Sequence, residues 1–148
     1  MDSSVTTLPD VDSARDAFQD VAVFNAHRAE IFRLVAKHAA YPEWQSRLAL
    51  VATPGQSDNV LALESPYGKG RIIFSPRIGE TGSYGQFLVQ KLELDAKDEN
   101  YWKTVWILTT DTNDKITLGD GRDVINMRSP YRDQYSEMTL AIAAALGK

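Results

Sequence analysis

Between Ala14 and Ala39 the apolar residues recur with the period of a helix, and beyond Pro42 the period drops to that of a strand. That switch constrains the fold more than any other feature of the chain. At about 100° per residue, Ala17, Phe18, Val21, Phe24, Ile31, Phe32, Val35 and Ala39 gather into one helical stripe. Ser13 or Asp12 is a suitable N-cap. Pro42 cannot continue the helix and biases Tyr41 away from helical geometry, so the element ends near Ala40. Residues 1–12 are rich in Ser, Thr and Asp, carry Pro9, and read as a mobile arm before a single domain over 13–148.

The middle of the chain reads as strands separated by turns. Arg47 to Ala52 is a short apolar stretch, strand or helical turn, followed by the turn residues Thr53-Pro54-Gly55 and Ser57-Asp58-Asn59. Val60 to Ser65 and Arg71 to Ser75 are strand-like and joined by a glycine-rich hairpin loop. Ser83 to Leu94 and Tyr101 to Thr110 are longer, and the short charged link between them implies antiparallel neighbours. Lys115 to Leu118 and Val124 to Met127 complete the series. Ser129-Pro130 offers an N-cap and a first-turn proline. The helix expected from Pro130 to Leu146 would place Tyr131, Tyr135, Met138, Ile142 and Ala145 on one stripe. The expected class is α+β: a long N-terminal helix, an antiparallel meander of about five or six strands, and a C-terminal helix packed on the sheet.

Composition excludes several functions. A net charge of −4 opposes nucleic-acid binding through a general electrostatic footprint. No apolar run approaches the roughly 20 residues of a membrane span, and residues 1–13 do not resemble a secretory or transit signal. The chain has no cysteine, hence no disulfide, thiolate nucleophile or Cys-based zinc site. No cofactor or metal is expected, and a cytoplasmic location is the default.

One residue breaks the helical stripe. Arg28 falls near its middle, with Asn25 one turn earlier on its edge. A guanidinium keeps its proton, so a buried Arg28 requires oxygen-rich company. A sheet carboxylate such as Glu64 or Glu93 would lock helix to sheet. Alternatively, Arg28 and Asn25 floor a pocket for a small anion, with Tyr131 or Tyr135 in its wall. A third option lets the side chain reach water along a partly exposed stripe.

Other segments carry less. Gly79 to Gly85 is glycine-dense, but it enters a strand rather than a helix and holds Glu80, so it reads as a hairpin loop rather than a phosphate cradle. Ser83 lacks the flanking glycine of a nucleophile elbow, because Thr81 stands there. Asp111 to Asp114 lacks the glycine and terminal glutamate of a calcium loop and reads as a turn. His27 and His38, eleven residues apart, are about 16 Å distant along a helix and cannot share a metal. They are expected at surface or boundary positions.

The strand from Tyr101 to Thr110 is apolar on both faces. Strict alternation puts Trp102, Trp106 and Leu108 on one side and Val105 and Ile107 on the other. Strand ends and loops could cover both faces, or one helix could cover each. A second copy of the chain or a ligand could instead lie on the uncovered side. With no nucleophile–base pair, metal cluster or carboxylate pair at informative spacing, the expected function is non-catalytic. The chain reads as an accessory domain that binds protein and self-associates through an aromatic sheet face, with Trp102, Trp106 and Tyr84 as partner-binding residues. The alternative is a small-anion-binding domain or enzyme centred on Arg28.

Overall fold

A computed structural model describes residues 11–42, 49–121, 123–131 and 133–148. Most of the expected N-terminal arm, and the beginning of the apolar stretch from Arg47, lie outside these residues. Helix α1 (Val11–Ala39) is followed by seven strands: β1 (Val51–Pro54), β2 (Val60–Ser65), β3 (Gly68–Gly79), β4 (Gly82–Leu94), β5 (Asn100–Thr110), β6 (Lys115–Leu118) and β7 (Asp123–Asn126). Helix α2 (Gln134–Ala145) closes the chain. The strands form one antiparallel meander in sequence order, one or two strands more than expected, curved into a half-barrel.

Alternation of side chains explains the core. Cross-strand partners Leu61 and Ile72, Ile72 and Val89, Phe74 and Phe87, and Phe87 and Leu108 stack in rows on one face. Ile116 and Ile125 extend the layer. Onto this face α1 lays Phe24, Ile31 and Val35, and α2 lays Met138 and Ile142, followed by its C-cap Leu146. Phe32 meets Phe87 edge to face at 6.2 Å. Gly70 leaves room for Leu146, because a Cβ there would sit 2.5 Å from Leu146 Cδ2. Both helices therefore share one side of the sheet, and the arrangement with one helix on each face is not adopted.

Two turns have the same construction. Asp95 Oδ1 accepts from the N–H groups of Lys97 and Glu99, and Asp111 Oδ1 accepts from those of Asn113 and Lys115. In each, the aspartate three residues on, Asp98 or Asp114, takes φ of 60°. Asn and Asp tolerate that left-handed conformation better than other side chains.

The elements depart from expectation in three places. The opening stripe does not pack along its whole length: Phe18 is 79% exposed, because α1 overhangs the sheet at its N-terminal end. Val11 and Asp12 are already helical. Helix α2 starts at Gln134 rather than Pro130, since Asp133 is left-handed (φ 69°) and Gln134 Oε1 accepts the Tyr131 N–H at 2.8 Å. Tyr131 consequently stands outside the helix and is 82% exposed.

Candidate functional site

The sheet face turned away from both helices is the candidate site, and its geometry follows from strand register. Val60 pairs with Ile73, Ile73 with Leu88, and Leu88 with Ile107. Directly paired residues share a face, so these four make an unbroken apolar row across β2, β3, β4 and β5. The row alternates with the core residues Leu61, Ile72, Phe87 and Leu108, which places it on the helix-free side. Ile107 is 39% exposed.

Polar ladders flank the row. On one side Arg71 Nε donates to Gln90 Oε1 at 2.8 Å, and Gln90 Nε2 donates to Thr104 Oγ1 at 3.2 Å. The Arg71 guanidinium lies 4.0 Å from the centroid of the Trp102 ring, a cation–π contact. Partial burial holds Arg71 below its ordinary pKa. On the other side are the paired Ser75, Gln86 and Thr109. The face is thus apolar along its middle and hydrogen-bonding along its rims.

Strict alternation fails in β5. Val89 pairs with Trp106, but Gln90 pairs with Thr104, leaving Val105 as the extra residue of a β-bulge. The bulge turns Trp102 onto the helix-free face, while Trp106 stays on the helix side and packs against the core. Tyr84 shares the helix-free face with Trp102, but the two lie at opposite ends of β4. Tyr84 covers Gly79, with its ring 3.1 Å from where a Cβ would stand, whereas Trp102 pairs with Leu92. Eight residues of strand separate Tyr84 from Leu92, about 27 Å. The three aromatic residues read from the sequence therefore do not form one patch.

Arg28 is half-buried, and Nη1 donates to Asn59 Oδ1 at 3.0 Å in the turn before β2. Its partner is thus a neutral amide oxygen rather than Glu64 or Glu93. Glu93 instead accepts from the Tyr101 hydroxyl at 3.1 Å. Asn25 is half-buried on α1. Tyr135 packs against the core and stacks on His38 with ring centroids 6.5 Å apart. Burial pushes the Tyr135 phenol above its ordinary pKa. His38 lies ten residues along α1 from Arg28, about 15 Å. Tyr135 is therefore placed beside His38 and not beside Arg28.

His27, expected near the surface, is only 4% exposed. Its Nε2 lies 2.7 Å from Asp114 Oδ1, and Arg128 Nε lies 2.7 Å from Asp114 Oδ2. An ionised carboxylate only accepts, so Nε2 is the donor. The hydrogen bond from His27, then that from Arg128, holds the Asp114 carboxyl below its ordinary pKa. His27 Nδ1 and Thr110 Oγ1 are buried without a partner. The network ties α1 to the β5–β6 turn. No sequence signal marked it, because Asp114 lies 87 residues from His27.

Among the described residues, no group of three or more His, Asp or Glu could hold a metal, and no helix is long and apolar enough to cross a membrane. No protein-family model, curated protein or solved structure matches the chain.

Proposed function

We propose that this chain is a non-catalytic protein-binding domain that self-associates through the helix-free face of its sheet. The row Val60–Ile73–Leu88–Ile107 carries the reading. An antiparallel sheet with one face on its helices ordinarily turns a polar face to water. Here the centre of that face is apolar across four strands. A second copy suits it, since a two-fold interface brings one patch against itself and an apolar row rimmed by donors and acceptors is self-complementary. Trp102, held flat by Arg71, lies on the same face and supplies an aromatic contact at its margin. Trp106 has no part in this surface.

The test is the mass in solution. Self-association requires a particle heavier than 16.5 kDa, and Ile107→Asp or Leu88→Lys should return it to that value with the far-ultraviolet spectrum unchanged. A 16.5 kDa particle at the highest attainable concentration overturns the reading.

A second reading places a small anion at Arg28, whose charge meets a neutral Asn59 oxygen among the described residues. Phosphate-dependent thermal stabilisation that disappears in Arg28→Met supports it, and the absence of any such stabilisation removes it.

A further inference from the structure

The end of the molecule opposite Trp102 carries a second surface, independent of the apolar row. The β3–β4 hairpin outruns the sheet. Pairing of β3 with β2 stops at Ile73, and pairing of β4 with β5 stops at Gly85. Beyond those points Arg77 to Gly79 and Gly82 to Tyr84 form a two-stranded ribbon. The overhanging N-terminal turns of α1 run beside it, anchored where Ser83 Oγ donates to Asp20 Oδ2 at 2.6 Å.

Helix and ribbon wall a cleft of about 360 Å³, and a second hollow of about 190 Å³ shares Ala17, Ile78 and Ser83 with it. Ile78, 68% exposed, lines both hollows, whereas Phe18, 79% exposed, lines only the second. The larger hollow bears Asp16, Asp20 and Glu80 and no Lys or Arg, while Arg77 lines the smaller one. Exposed side chains of that size at the mouth of a concavity mark a contact surface rather than scattered surface greasiness.

We infer that this cleft docks a segment of a different protein in which a large apolar side chain stands beside Lys or Arg. Charge decides the occupant. The apolar residue would enter against Ile78 and Ala17, and the cation would lie against Asp16, Asp20 and Glu80. A second copy seated there would raise the mass in solution and lose that mass in Ile78→Ser, which would overturn the inference. Residues 1–10 hold Asp2 and Asp10 but no Lys or Arg, so they lack the side-chain cation that the three carboxylates call for. The surface is distinct from the sheet face above, so a domain paired through its sheet would still offer one cleft per copy.

The experiment is a titration of the full chain with a Leu/Lys amphipathic peptide and with its Leu/Glu counterpart, followed by amide NMR. The expected result is saturable shifts confined to residues 14–21 and 77–83 for the Leu/Lys peptide alone. Binding should weaken about tenfold in Ile78→Ser, with the variant retaining the remaining amide spectrum. Asp16→Asn with Glu80→Gln should weaken it further and remove most of its salt dependence. Four results overturn the inference: no saturable shifts, equal binding of the Leu/Glu peptide, shifts centred on Ile73 and Ile107, or unchanged affinity in Ile78→Ser. Contacts from residues 2–9 to Ile78 in the free protein would also overturn it, by assigning the cleft to the chain itself.

Discussion

Trp102 and Trp106 lie four residues apart in one strand and face opposite sides of the sheet, because Val105 is inserted as a bulge between them. Trp106 serves the fold, packed against the helix-side core, while Trp102 lies under Arg71 on the helix-free side. A bulge reverses every side chain beyond it, so this one residue decides which aromatic ring faces away from the helices.

The seat of Trp106 can be tested from beneath. Gly119 has φ of 52° and donates its N–H to Ile107 O at 2.9 Å. A Cβ there would lie 2.6 Å from Trp106 Nε1. Gly119→Ala combines left-handed strain with a displaced indole and is expected to cost about 2–3 kcal/mol in urea unfolding, with altered Trp fluorescence. A loss below about 0.5 kcal/mol would show that the ring is not held there.

Asp114→Asn tests the buried network. It replaces a charged acceptor facing both His27 and Arg128, and a loss of about 2 kcal/mol near neutral pH is expected. The folded carboxyl has a lowered pKa. Its contribution is therefore complete above the unfolded value of about 3.9 and is lost as pH falls through the lower folded value. The stability gap between the native chain and Asp114→Asn should be flat above about pH 5 and should close towards strong acid. A gap that is constant down to acid unfolding would remove the carboxylate from the account.

His38 predicts a dependence nearer neutrality. Its folded pKa is lowered, first by burial and then by the charges of Lys37 and Arg33. Its ring lies 5.0 Å from that of Tyr41, and Nδ1 is 3.0 Å from Ser136 Oγ. A histidine lowered in the folded state binds protons more readily when unfolded. Stability should thus be greatest above about pH 6.5 and decline as pH drops below it, by at most about 1.4 kcal/mol per pH unit, until the folded value is passed. Denaturation curves of His38→Gln should lack that component. The same slope in both proteins would assign it to other groups.

Much of the architecture was legible in the residues themselves. The helical period of α1, the alternation in β2 to β5 and the short charged turns are local properties, and local rules read them correctly. The candidate site was less legible. Phe18 belongs to the apolar stripe by its angle around the helix, but angle says nothing about where the sheet beneath the helix stops. Tyr131 follows a good helix-start signal, yet Asp133 turns left-handed and the helix begins later. The bulge at Val105 leaves no mark in the alternation of an apolar strand, because both of its faces already read apolar.

By itself, the sequence determined the order of elements, the residues that can enter a core and the classes of chemistry for which it holds no parts. Only the tertiary structure decided that His27 rather than Arg28 is the deeply buried cation-capable group, since burial depends on what packs against a helix and not on its stripe alone. It likewise decided that both helices share one face, leaving an apolar row uncovered. Periodicity is set by neighbours along the chain, whereas a surface is set by register between strands and by where one element outlasts another.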